Sequence, residues 1–198
     1  MLKLLLDRYR RKLQKFTRSD SGVAIIEFVF IAPIVFLTLG VIIETGLMLF
    51  TEITLQDATD VAARTIRTGK AQMIGLTAAD LKTAICAEVG KLVSCSKVVV
   101  YVNSDSSPPN GTFANLLADV PPYINIGPTT GGKTISQPPC YNPGSPSNPA
   151  IIVATYDWYF HSYGISFWGN VAGNKARRLT AVTLFQNQPF PGTGPGTC

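Results

Sequence analysis

From Val23 to Phe50 the chain runs for 28 residues with only two charged side chains, Glu27 and Glu44. About 20 apolar residues cross the hydrocarbon core of a bilayer as a helix, so the run predicts one membrane-spanning helix that begins at Gly22-Val23. Past Phe50 the pattern changes without stopping. Leu47, Phe50, Thr54, Ala58, Val61, Ala62 and Thr65 recur at steps of three and four, with Glu52, Gln56, Asp57, Asp60 and Arg64 between them. The helix is therefore expected to continue beyond the membrane as a stalk to about residue 68, ending before Gly69. A helix of about 45 residues would be about 65 Å long.

After the stalk the patterns are shorter. Thr77, with Asp80 three residues on, resembles a capping box and predicts a second helix through about Lys91. Runs rich in β-branched and aromatic residues predict strands at Lys97 to Asn103, Ile151 to Phe160 and Arg178 to Asn187, with a Pro/Gly tail after the last. Residues 104 to 149 are crowded with Pro, Gly, Ser and Asn and read as a long irregular loop holding one short helix at Phe113 to Asp119. The outer part, 69 to 198, is thus expected to be one α+β domain.

Charge adds orientation. Residues 1 to 22 carry Lys3, Arg8, Arg10, Arg11, Lys12, Lys15 and Arg18 against Asp7 and Asp20, whereas the rest of the chain holds ten basic and ten acidic residues. The net charge of +5 therefore belongs to the leader, which argues against a nucleic-acid-binding outer domain. By the positive-inside rule the leader stays in the cytoplasm and everything past about residue 50 faces out, in a bacterium the periplasm. Leu2, Leu5, Leu6, Tyr9, Leu13 and Phe16 fall at near-helical spacing among the leader's cations, as in a helix lying on an anionic leaflet. The apolar run is too long for a secretory signal, and no small-residue cleavage boundary follows it.

All four cysteines, Cys86, Cys95, Cys140 and Cys198, come after the span. Their spacings, with a lone histidine at His161, do not fit a zinc site, and no cofactor or metal is expected. An oxidising compartment favours two disulfides. Of the three connectivities open to four cysteines, Cys86 with Cys95 and Cys140 with Cys198 is preferred.

The chemistry of interest is at the start of the span, in Gly22-Val23-Ala24-Ile25-Ile26-Glu27-Phe28. A carboxylate about one turn inside an apolar segment is costly unless paired or functional. Cleavage after Gly22 would make Glu27 the fifth residue and give Val23 a free cationic amine. The carboxylate of one subunit could then neutralise the amine of a neighbour in staggered helices.

Gly22 with Glu27-Phe28 resembles the processing site of type IV-like prepilins, and the run from Gly22 to Arg64 looks like the N-terminal region of the TadE-like family of the bacterial tight adherence (Tad/Flp) pilus systems. LTAVTLFQNQPF, residues 179 to 190, is similar to the family's closing strand and its Asn-Glu-Pro-aromatic ending, with Gln188 in place of the acid. The resemblance implies a pilin-like fold, a long helix packed on a small antiparallel sheet braced by disulfides. It also implies a pseudopilin or assembly component that is not an enzyme, processed by a prepilin peptidase and working in the inner membrane with other pseudopilins, pilin and the pilus machinery. In that reading Gly22 and Val23 flank the cut, and Glu27 and Phe28 serve recognition or assembly. The alternative is an unprocessed bitopic scaffold subunit of a secretion or envelope complex.

Five further features have plain readings. Pro33 removes one hydrogen bond from the span and permits a kink. Glu44, about 25 Å beyond Glu27 on a helix, reads as a carboxylate solvated at the outer interface. Residues 127 to 134, GPTTGGKT, satisfy the phosphate-loop formula, but Pro138 and Pro139 preclude the helix such a loop must open. His161, with Asp157 and Ser162 nearby, lacks a nucleophile context and reads as structural; Asn110-Gly111-Thr112 is a glycosylation sequon only in a eukaryotic secretory setting.

Overall fold

A computed structural model describes residues 21–90, 93–105, 111–119, 140–161, 169, 171, 176–191 and 196. The basic leader, much of the Pro/Gly-rich stretch, the phosphate-loop-like sequence, Asn110, Ser162 and Cys198 lie outside them. In chain order the elements are α1 (Ser21–Arg67), α2 (Lys70–Met73), α3 (Ala78–Val89), a 3-10 turn at Cys95–Lys97, β1 (Val99–Ser104), α4 (Phe113–Asp119), β2 (Pro149–Tyr159) and β3 (Ala176–Gln186). The chain divides into two compact units between Ile43 and Glu44.

In the first unit the described residues are all helical, and their side chains stand outward. Val23, Ile26, Phe30, Ile34 and Phe36 are 61 to 73% exposed. So much apolar surface requires a non-aqueous surround, and a helix satisfies its own backbone polar groups, as lipid demands. Among the described residues α1 is the one helix long and apolar enough to span a membrane. The helix runs on through Pro33.

The second unit begins with the outer part of α1, where the stripe read from the sequence is only partly buried: Ala58 and Ala62 are, but Leu47, Phe50 and Val61 are 47, 52 and 54% exposed, because the face turned to the core runs through Met48, Leu55, Ala58, Ala62 and Ile66. Leu55, Ala58, Ala62, Ala63 and Ile66 are at most 3% exposed and form one core with Leu81, Ile85 and Val89 of α3 and with one face of the sheet. Thr51 and Thr59 are also fully buried there, and each hydroxyl donates to the carbonyl four residues back, at 2.8 and 2.7 Å. The sheet is an antiparallel meander in the order β1-β2-β3. Strand alternation sends Val100, Val102, Ile152, Ala154, Leu179 and Ala181 toward α1 and α3, while Tyr101, Ile151 and Val153 pack on Leu116 of α4. The expected α+β architecture is present, with its long helix, small antiparallel sheet and a disulfide joining Cys86 to Cys95. Cys140 is disulfide-bonded as well.

Both sheet edges are covered, which blunts edge-to-edge association. At β3, the Gln56 side chain of α1 donates from Nε2 to the Val182 carbonyl at 3.3 Å and accepts from the Val182 N–H at 3.2 Å, acting as a short surrogate strand. At β1, the Val102 N–H donates to the Cys140 carbonyl and Asn142 N–H donates to the Val102 carbonyl, at 3.0 and 2.9 Å. Residues 140–148 therefore belong to the folded body, with Pro143 and Gly144 buried, although composition placed them in an irregular loop. Composition cannot register such a segment, because backbone atoms supply its contacts.

The segment after β3 closes on the end of α1. Gln188 N–H donates to the Arg67 carbonyl at 2.8 Å, satisfying a helix C-terminal acceptor. Asn187, 3% exposed, donates from Nδ2 to the carbonyls of Pro143 and Ser145. Phe190 covers Gly69, whose φ of 76° suits the left-handed end of a helix and whose missing Cβ leaves room for the ring.

Two outcomes follow from these local arrangements. Gly69→Ala introduces both left-handed strain and a clash with Phe190, so it should lower the unfolding free energy measured by denaturation by more than about 1 kcal/mol. Gly75→Ala, at φ 65° with open space around it, carries the strain without the clash and should lower it less. In the capping box of α3, the Thr77 hydroxyl and then its backbone N–H hold the Asp80 carboxyl below the usual carboxylate range. Because the folded value lies below the unfolded one, the cap is intact above the ordinary carboxylate value and is lost as pH falls through the depressed one. The Thr77 amide resonance should report that acid transition in the native protein and not in Asp80→Ala.

Candidate functional site

The residues singled out at the start of the span occupy the first turns of α1. Gly22 is its second residue, and Val23 and Phe28 are each 67% exposed. Among the described residues the first turn of the helix contains no acidic residue. Glu27, also exposed, follows Val23 by four positions and lies on the same face one turn along. Helical side chains tilt toward the N-terminus, so the Glu27 carboxylate leans toward the backbone at Val23.

Glu44 departs from expectation. It is 7% exposed, and its carboxylate accepts the His161 backbone N–H at 2.6 Å, with the His161 ring Nδ1 at 3.8 Å. The ring itself remains open, its side chain 86% exposed. Glu44 is thus a buried tie between α1 and the chain just past β2, not a solvated interfacial carboxylate. Its place in an apolar run was visible in the sequence; its partner, 117 residues away, was not.

Asp157 is likewise occupied, though not with His161. It faces Arg178 directly across β2 and β3 and accepts hydrogen bonds from Nε and Nη2 at 2.6 and 2.9 Å in a bidentate pair. The Arg178 side chain is 1% exposed and that of Asp157 17%. The pair could be read from sequence only with the strand register in hand. Among the described residues no cluster of His, Cys, Asp or Glu could hold a metal ion.

On the outward side of α1, Arg64 and Arg67 border a groove of about 510 Å³ whose far wall is Thr183, Leu184 and Phe185 of β3. Asp60, at its edge, accepts hydrogen bonds from the Thr183 hydroxyl and from Gln56 Nε2. Gln188 also borders the groove, and its backbone makes the bond to Arg67. That closure of the helix end therefore does not depend on the charge at position 188.

Removing one partner of a buried ion pair leaves a desolvated charge behind. Asp157→Ala should destabilise the outer unit by about 3 kcal/mol. Asp157→Ala combined with Arg178→Leu should recover much of that loss in the same denaturation measurement, and a double variant no more stable than the single one would contradict this account.

No curated protein and no solved structure matches the chain. Residues 22–64, which begin at the candidate cleavage residue and end on the outer turns of α1, match the family model described as TadE-like protein, so the long helix of this chain carries the TadE-like segment.

Proposed function

We propose that this chain is a TadE-like pseudopilin or assembly component of a bacterial Tad/Flp pilus, serving pilus biogenesis, adhesion or secretion. Residues 1–22 are its cytoplasmic leader, 23–50 its inner-membrane span, the helix to about 68 its stalk, and 69–198, with the 104–149 stretch, its periplasmic domain. A prepilin peptidase removes the leader after Gly22, and Glu27 with Phe28 then docks the helix against other pseudopilins, pilin or the pilus machinery.

The observation that carries this reading is the placing of Gly22, Val23 and Glu27 at the exposed start of a helix whose match to the TadE-like family begins at residue 22. Three features support it. The basic leader lies on one side of the span alone, which favours a cytoplasmic N-terminus. The Cys86–Cys95 disulfide suits an oxidising compartment on the other side. Glu27 is the first acidic residue of the apolar run, and an amine on Val23 would compensate its charge.

N-terminal mass analysis of membrane-purified protein, from cells with and without the prepilin peptidase, tests the cleavage. A chain starting at Val23 is expected in the first case and at Met1 in the second; Met1 in both would leave the unprocessed bitopic scaffold as the reading. Glu27→Ala tests docking. The variant should still be cleaved yet fail to support pili or surface adhesion, and normal piliation would remove Glu27 from assembly.

A further inference from the structure

Beyond its buried face, the outer part of α1 has an exposed one with its own order. Phe50, Ile53, Asp57, Asp60, Arg64 and Arg67 alternate at steps of three and four, and all six are exposed, Phe50 at 52% and Ile53 at 59%. This is the spacing of the a and d positions of a coiled-coil seam. The layers along it are segregated: apolar at 50 and 53, acidic at 57 and 60, basic at 64 and 67. The same phase extends back through the apolar run at positions 29, 32, 36, 39, 43 and 46, none of which carries a charge.

We infer that this seam pairs with the same seam of a second copy, parallel and displaced by one heptad. A shared bilayer keeps two anchored helices parallel. Level pairing would then oppose Asp57 to Asp57, Asp60 to Asp60, Arg64 to Arg64 and Arg67 to Arg67, with like charges in every polar layer. A shift of seven residues is the smallest that returns each a position to an a position and each d to a d. It brings Arg64 opposite Asp57 and Arg67 opposite Asp60 in one movement, since both pairs are seven apart. Among the described residues no ion pair occupies either arginine, and Asp57 is exposed. Asp60 keeps its hydrogen bonds to Gln56 and Thr183 while presenting its remaining lone pairs.

The membrane permits this shift. Seven residues amount to about 10.5 Å of helix. The apolar run has 28 residues where about 20 suffice, so a copy raised by one heptad still spans. The pairing does not require removal of the leader and stands apart from the role proposed for Glu27.

The test uses the full-length chain in membranes, with two differently tagged copies that each carry one added cysteine. Gly46→Cys and Ile53→Cys sit on the seam seven residues apart, leave every charge in place and meet open space at 46. The described cysteines offer no free thiol to compete for a bismaleimide linker. The staggered register predicts the 46-to-53 product in about threefold excess or more over 46-to-46 and 53-to-53, the size expected when exposed ion pairs choose between two registers. Arg64→Glu with Arg67→Glu should abolish that excess, and adding Asp57→Lys to the same chain should partly restore it. Same-position products that equal or exceed the staggered one would overturn the inference, as would the absence of all three. Persistence of the excess in the double-glutamate chain would also overturn it. An intact leader in these samples changes none of these outcomes, so failure here is separable from failure of the processing reading.

Discussion

Ala58, Ala62 and Ala63 lie in the core that the outer part of α1 shares with α3 and the sheet, and most of what the second unit does depends on that shared core. Small side chains on a helix allow close approach, while Leu55 and Ile66 on either side of them supply the buried area. The same approach brings Gln56 within reach of the Val182 backbone and Asp60 within reach of Thr183, so the free edge of β3 is sealed by side chains of the helix it packs against. With one side of α1 committed to the sheet, the seam through Asp57 and Arg64 is left outward by the helical period.

Those elements whose signal lies in neighbouring residues were legible beforehand. The apolar run, the reach of the long helix to Arg67, the Thr77 to Asp80 cap and the helix at Phe113–Asp119 all appear where the pattern put them, and the three strands differ by about two residues at their ends, but the buried face of the stalk leaves Leu47, Phe50 and Val61 exposed. What the pattern missed is non-local. Burial of Glu44 depends on a backbone N–H at His161, the Asp157–Arg178 pair on strand register, and the ordering of residues 140–148 on the open edge of β1. In each case the residue types were visible but the partner was set by topology, which periodicity does not encode. The short α2 at Lys70–Met73 carries too few residues for any period to emerge. For the candidate site the position was legible, because a lone acid near the start of an apolar segment stands out, and the family match falls on that same segment.

The charges of the chain serve different tasks according to their surroundings. Arg178 and Glu44 are withdrawn from water and bonded, so they specify internal geometry. Asp57, Arg64 and Arg67 remain hydrated, where an ion pair adds little energy but opposed like charges still discriminate between alignments.

The closure of residues 187–190 on the end of α1 joins the segment after β3 to the long helix. Gln188 and Arg67 are 121 positions apart, and loop-closure entropy makes such contacts late events in folding. During synthesis the helix has long been made when its terminal carbonyls are finally covered. A chain whose synthesis stops between Arg67 and Asn187 therefore has a finished helix and a second unit still open, and the fold can lock only once residues 187–190 have been made.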